Sequence, residues 1–94
     1  MNVVFEALAH PTRRAILERL KSGSKSAGEL ADAFQVSSPT MSGHFSKLKE
    51  AGLIHADRKG TTILYSLNLS ALEEVLLGFM GKFGSNEKGS VDDA

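Results

Sequence analysis

The polar side chains that could contact a ligand are densest between residues 37 and 54, in the stretch SSPTMSGHFSKLKEAGLI. Most of them are small hydroxyl groups, which exchange hydrogen bonds with phosphate oxygens and with the edges of bases. His44 adds an imidazole and Lys47 adds an ammonium group within the same stretch. Three interpretations follow: an ordinary solvated surface, a metal site that includes His44, or a surface that lies against a partner.

Neither metal coordination nor catalysis is favoured by the residues present. A zinc or nickel site needs three or four N, O or S ligands in fixed geometry. The chain has no cysteine, and His10, His44 and His55 are far apart in sequence without an i, i+4 pair. We therefore predict no metal and no cofactor, with His10 at the start of a helix and His55 exposed on a strand. The sequence also lacks a nucleophile–base pair, a phosphate-binding glycine loop and paired catalytic carboxylates, so we expect no enzyme.

The polar stretch itself has the pattern of a helix that begins at Ser38 and ends at Gly52. Met41, Phe45 and Leu48 recur at i, i+4 and i+7 and predict its buried stripe. The far side consists of small or charged residues. These are Thr40, Gly43, Ser46, Lys47 and Glu50, with Ser42 and His44 flanking the stripe on opposite sides.

A second helix precedes this one, separated from it by the short turn QVSS. Ser26 and Glu29 have the S-x-x-E spacing of a capping box, in which each side chain accepts a hydrogen bond from the other residue's backbone N–H. Leu30, Ala31 and Phe34 then follow at helical spacing. The pair therefore has the pattern of a helix-turn-helix.

A β-hairpin is predicted after the two helices, because LIHADRK and TTILYSL are rich in β-forming residues and flank Gly60. Arg58 and Lys59 make its tip basic. Two helices joined by a short turn and followed by a basic hairpin have the order of a winged helix-turn-helix, whose second helix enters the DNA major groove. We therefore interpret the polar face, from Ser38 to Lys47, as a DNA-binding surface.

The last helix carries more apolar residues than one helical face usually buries. We expect it to start at Ser70, with Glu73 completing a second capping box. Its stripe could complete the core of the monomer, or it could pair with the first helix of a second copy. We favour the second interpretation, because a two-fold dimer reads two half-sites. The predicted dimer interface consists of Val4, Phe5, Leu8, Leu72, Val75, Leu76, Phe79, Met80 and Phe83.

Length, composition and charge limit the number of domains and the kinds of partner that the chain can have. With 94 residues, 41% hydrophobic and 23% charged, the chain fits one small globular domain. Residues 1–66 carry nine Lys and Arg against six Asp and Glu, so the zero net charge does not exclude a polyanionic partner. We predict a domain of residues 1–84 followed by a disordered tail of residues 85–94. No apolar run approaches the ~18 residues of a membrane span and no export signal precedes the domain, so we expect a cytoplasmic protein without a membrane partner.

The fold class predicted from these elements is mainly α with a small β-hairpin, a winged helix-turn-helix of about five helices. HPTRRAILERL, ELADAFQVSSPTMSGHFSKLKEAGLI and DRKGTTILYSL resemble the ArsR family of bacterial winged-helix repressors. The resemblance implies a homodimer, a palindromic operator and transcriptional repression. It also implies a set of DNA-reading residues. These are Ser37, Ser38, Thr40, Ser42, Gly43 and His44, to which the residue pattern itself adds Lys47, Arg58 and Lys59.

The chain departs from the family pattern at several points. Gly43 stands where many members have a long side chain, and His10 replaces the common Asp before Pro-Thr-Arg-Arg. The cysteine pair of the metal-sensing members is absent, as is the His/Asp ligand pattern of their last helix. The resemblance is therefore to a branch without the metal-sensing cysteines. His44 keeps two interpretations, a DNA contact or a partly buried, hydrogen-bonded residue beside the stripe.

The sequence thus predicts a sequence-specific DNA-binding repressor that acts as a homodimer on a palindromic operator without a metal. One alternative is a ligand- or metal-responsive sensor of the same fold, whose small-molecule effector is unknown. The other is a winged-helix protein-interaction module, which would not need a basic hairpin tip.

Overall fold

The computed structural model describes residues 2–83; the predicted tail and Gly84 lie outside the described residues. Helix α1 spans Val3–Leu8, and its N-terminal N–H groups donate to the side chain of Asn2. Helix α2 spans Pro11–Leu20, with proline at a position where a missing N–H costs nothing. Nδ1 of His10 accepts the backbone N–H of Thr12 at 3.1 Å, which confirms His10 as a helix-start residue.

The predicted helix-turn-helix is formed by α3, Ala27–Phe34, and α4, Ser38–Glu50. Both hydrogen bonds of the Ser26–Glu29 capping box are present, at 2.8 and 3.1 Å. Gln35 ends α3 in the left-handed region, with φ of 54°, and directs the chain into α4. Ser37 is the N-cap of α4, one residue before the predicted start.

The predicted hairpin consists of strands β2, Ile54–Lys59, and β3, Thr62–Leu67, which pair antiparallel. Gly60 lies in the turn with φ of 63°, a conformation that glycine adopts without strain. A two-residue strand β1, Lys25–Ser26, pairs with the other edge of β3 and makes a three-stranded sheet in the order β1-β3-β2. The sequence did not indicate β1, because two residues carry no periodicity.

The core lies between α2, α3, α4 and the sheet. Met41, Phe45 and Leu48 are all buried, as the helical spacing predicted. The ring of Phe45 stacks on that of Tyr65 with centroids 4.3 Å apart, which joins α4 to β3. The other buried residues are Ala7, Ile16, Leu17, Leu20, Leu30, Leu53 and Ile54.

Helix α5 spans Leu69–Lys82, and the prediction that a Ser70–Glu73 capping box starts it is wrong. Asn68 is the N-cap: its Oδ1 accepts the N–H of Ala71 at 3.3 Å. The Nδ2 of Asn68 also donates to the carbonyl of Gly52 at 2.9 Å. Asparagine is a favoured N-cap residue, so the local sequence offered this start, and the bond to Gly52 adds a tertiary contact that fixes the side chain.

Candidate nucleic-acid interface

The N-terminus of α4 presents exposed hydroxyl groups. Ser37 Oγ accepts the N–H of Thr40 at 3.4 Å and donates to the Thr40 hydroxyl oxygen at 3.0 Å. Ser38 and Thr40 are exposed beside it. The unpaired N–H groups of a helix N-terminus carry partial positive charge and attract anions. Three of the residues predicted to read DNA thus lie on one exposed end of α4.

The outer face of the next turn of α4 is exposed and lacks bulky side chains. Ser42 and Gly43 are exposed, and apart from the adjacent residues and the backbone of α4, no atom of residues 2–83 lies within 4 Å of the position that a Cβ on Gly43 would occupy. A helix surface without long side chains allows a flat partner to approach the backbone closely. Within residues 2–83, therefore, nothing covers this surface.

His44 differs from the other predicted residues because it is partly buried. Its Nδ1 lies 3.2 Å from Nη1 of Arg13, and its ring lies 4.5 Å from the ring of His10. Burial lowers the pKa of His44, and the nearby His10 and Arg13 lower it further. This geometry agrees with the interpretation of a hydrogen-bonded residue beside the stripe, and a contact with DNA stays a prediction.

Two of the predicted cations already have carboxylate partners. Lys47 Nζ lies 3.4 Å from a carboxylate oxygen of Glu6, and Lys59 Nζ lies 3.5 Å from one of Asp57. Both pairs are largely exposed, so each contributes little to stability and exchanges readily for another anion. Arg58 is exposed on β2 beside Lys59, and within residues 2–83 no ion pair involves it.

The sequence identified these candidate side chains but did not indicate which residues they contact. Glu6 is 41 residues from Lys47, and no local signal connects them. Arg13 is 31 residues from His44, and the helical pattern around it does not indicate a contact with α4. Asp57 lies two residues before Lys59, so the period of a strand could have revealed that pair.

None of the residues of helix α5 is buried, although the helix is rich in apolar side chains. Phe79 and Phe83 are 47% and 71% exposed, and their rings lie 4.8 Å apart. Phe5 of α1 packs edge-on against Phe79 at 5.5 Å, so α1 and α5 form a continuous apolar surface. The other predicted interface residues on or near it range from half-buried to exposed. These are Val4, Leu8, Leu72 and Val75, which are half-buried, and Leu76 and Met80, which are exposed.

Other kinds of site are poorly supported by the described residues. Between residues 2 and 83, no three His, Asp or Glu side chains are grouped so that they could hold a metal ion. None of the helices in that range has the length and apolar content that a bilayer crossing requires.

Known proteins similar to this chain are regulators of transcription. A family model described as a helix-turn-helix domain matches residues 8–56. The transcriptional repressor SdpR of Bacillus subtilis is 44% identical over 93% of this chain and 99% of its own length. The HTH-type transcriptional repressor SmtB of Mycobacterium tuberculosis is 34% identical over 88% of this chain, which spans 62% of that protein.

Solved structures agree with these relatives in fold. The crystal structure of an ArsR family transcriptional regulator superposes with a TM-score of 0.79 and 31% identity, covering 86% of this chain and 89% of that one. Its fold class confirms the predicted five-helix winged helix-turn-helix, and the relatives' activities confirm that the chain is not an enzyme. The family model spans more than half of the chain and a curated repressor aligns over nearly all of it, so the chain belongs to the ArsR family of winged helix-turn-helix transcriptional repressors.

Proposed function

We propose that the chain represses transcription in the cytoplasm as a homodimer bound to a palindromic operator, without a metal cofactor. The observation that carries this proposal is the exposed polar face of α4, from Ser37 to Gly43, which a hairpin with a cationic tip follows along the chain. Occupation of the operator by the dimer would exclude polymerase sterically.

On the DNA side, α4 lies in the major groove with its N-terminus towards the bases. Ser38 and Thr40 donate to phosphate oxygens or base edges, and the absence of a side chain at Gly43 leaves room for the duplex. Lys47 exchanges Glu6 for a phosphate, and Arg58 reaches the backbone or the adjacent minor groove from the hairpin. The remaining contacts come from Ser37, Ser42 and Lys59, and His44 keeps its two interpretations, a contact with DNA or a hydrogen-bonded support behind the surface.

On the dimer side, the apolar surface of α1 and α5 pairs with the same surface of a second copy. Large side chains such as Leu76, Phe79 and Met80 are each about half exposed, and burying them is favourable at ~25 cal/mol per Å². A two-fold axis between the α5 helices places two α4 helices on one face of the duplex, about 34 Å apart.

Repression without metal follows from the donor atoms that the chain provides. The sequence has no cysteine, and the described residues contain no grouping of three His, Asp or Glu side chains. We therefore expect operator binding to be unaffected by chelators such as EDTA.

The test is a titration of the chain's own upstream DNA at several salt concentrations. Each phosphate contact contributes about 0.9 to the slope of log K against log salt, so a dimer that loses two equivalent contacts should lose about 1.8. We expect this reduction for Lys47→Ala and for Arg58→Ala. Lys21→Ala, which removes an exposed charge at the end of α2, is the matched control. Glu6→Gln frees Lys47 from its ion pair and should strengthen binding.

Unchanged affinity and slope in both Lys47→Ala and Arg58→Ala would contradict the proposed footprint. A chain that prefers no duplex sequence over another would instead favour a protein-interaction module.

A ligand-responsive sensor is the second candidate, because an apolar groove of about 510 Å³ lies between α2 and the start of α5. Its lining is mostly leucine, together with three charged side chains: Leu8, Leu17, Leu67, Leu69 and Leu72, with Arg14, Glu18 and Lys21. Native mass spectrometry of the purified chain would reveal a bound effector.

A further inference from the structure

We propose that Arg13 is a positioning residue for α4, and that it holds the helix through the neutral form of His44. The consequence for DNA affinity rests on the proposed function, whereas the bridge itself does not. His44 would then support the DNA-binding surface from behind instead of reading bases.

Arg13 connects three elements through a single planar group. Its Nε donates to the carbonyl of Ala7 at 2.7 Å, and its Nη2 donates to the carbonyl of Glu6 at 3.0 Å. Both carbonyls belong to the last turn of α1, and that of Glu6 also accepts the N–H of Ala9 at 3.2 Å. The remaining nitrogen, Nη1, lies 3.2 Å from Nδ1 of His44 on α4. The guanidinium of α2 thus joins the end of α1 to the middle of α4.

The protonation state of His44 follows from the chemistry of its neighbour. A guanidinium has five donors and no acceptor, so Nδ1 of His44 must provide a lone pair. The ring proton of His44 is then on Nε2, and a second proton on Nδ1 would break the bond to Arg13.

The charges around His44 also favour its neutral form. From α2, both His10 and Arg13 face its ring, and a positive charge on His44 would repel the guanidinium. Lys47 lies one turn further along α4 and is paired with Glu6 of α1. No carboxylate among residues 2–83 forms an ion pair with His44, so this repulsion is not offset by a negative charge from those residues.

The bridge links the two surfaces on which repression is proposed to depend. Helix α1 carries Phe5, which packs against Phe79 in the apolar surface. The carbonyls in the last turn of the same helix accept hydrogen bonds from Arg13, which also bonds to His44 on α4. Protonation of His44 would therefore loosen α4 relative to the dimer surface.

Acidification distinguishes this positioning role from a direct contact. A histidine that contacts phosphate binds more tightly when protonated, so affinity would rise as the pH falls. In the positioning role the competent form is neutral. Because burial lowers the pKa of His44, affinity is fully present above the ordinary value of 6.5 and is lost as the pH falls through the lowered one.

The experiment measures operator affinity from about pH 8 to about pH 5.5 at constant salt, where histidine titrates. We expect the wild-type dimer to lose affinity about threefold or more for each of its two His44 rings that becomes protonated. His44→Asn retains an acceptor near the position of Nδ1 but does not titrate, so it should bind as wild type near pH 8 with a flatter profile. His44→Gln places its acceptor further out and should bind more weakly throughout.

Arg13→Lys separates position from charge. It keeps the positive charge but cannot make three hydrogen bonds in one plane, so affinity should fall about tenfold without a change in the salt slope. Three results would each overturn the proposal. Arg13→Lys could bind with wild-type affinity, or its salt slope could fall as for a lost phosphate contact. Alternatively, affinity could rise on acidification only when His44 is present.

Nitrogen-15 NMR of the free wild-type chain provides a measurement that needs neither DNA nor a variant. We expect His44 to have its proton on Nε2 near neutral pH, and the backbone amides of α4 to shift as it titrates. A proton on Nδ1, or α4 amides that do not respond, would overturn the bridge. A chain that binds no duplex while passing this test would contradict the proposed function and leave the bridge standing.

Discussion

Truncation of Phe79 tests the proposed dimer quantitatively. A phenylalanine side chain buries roughly 200 Å² when fully covered, and the 47% left exposed here corresponds to roughly 95 Å². At ~25 cal/mol per Å² its burial in an interface stabilises the dimer by about 2.4 kcal/mol. A two-fold dimer contains this side chain twice, so the contribution is doubled. Because alanine keeps part of that contact, we expect Phe79→Ala to weaken the dimer by about 2–4 kcal/mol, or about 30- to 1,000-fold in its dissociation constant.

Sedimentation equilibrium over a dilution series of the 10.1 kDa chain measures this constant directly. Leu77→Ala is the matched control, because Leu77 is 68% exposed on the same helix but lies on the flank of the predicted interface. We expect the control to change the constant little. Equal effects of Phe79→Ala and Leu77→Ala, or a wild-type chain that is monomeric at all concentrations, would refute the reasoning.

Three further predictions concern local stability. Asn68→Ala should lower the free energy of unfolding by about 1–2 kcal/mol, whereas Ser70→Ala should change it little, as thermal denaturation would measure. Gly43→Ala should stabilise the chain by about 1 kcal/mol, because a methyl group there meets no protein atom and alanine favours the helix; denaturant titration in the absence of DNA would measure it. The hydrogen bond from the Ser26 N–H lowers the pKa of Glu29 below 4.5, so its stabilisation is present above that value and is lost as the pH falls through the lowered pKa. Glu29→Gln should therefore be less stable than wild type near neutral pH but not at acid pH, and an equal difference at both would contradict this account.

The elements that were predictable from sequence are those with local signals. The Ser26–Glu29 spacing located the start of α3, and the Met41–Phe45–Leu48 spacing located the buried face of α4. Both depend on residues within one or two turns of each other, where helical geometry determines proximity. The hairpin followed from a change of period after a glycine.

The features that were not predictable depend on contacts between distant parts of the chain. One of them is the hydrogen bond from the Asn68 side chain to the carbonyl of Gly52, which only the register of the sheet brings near. In the candidate site, the exposed hydroxyls could be identified from the helical period. The surroundings of His44 could not, because Arg13 and His10 reach it only through the packing of α2 against α4.

The central claim is that two α4 helices of one dimer read two half-sites on the same face of a duplex. A series of inverted repeats with increasing half-site separation tests it most directly, with affinity measured for each duplex by titration. We expect the highest affinity when the half-site centres are about 10–10.5 base pairs apart, or a multiple of that spacing, and a large loss when about 5 base pairs rotate one half-site to the opposite face. Equal affinity for all spacings, or for a single half-site, would contradict the account.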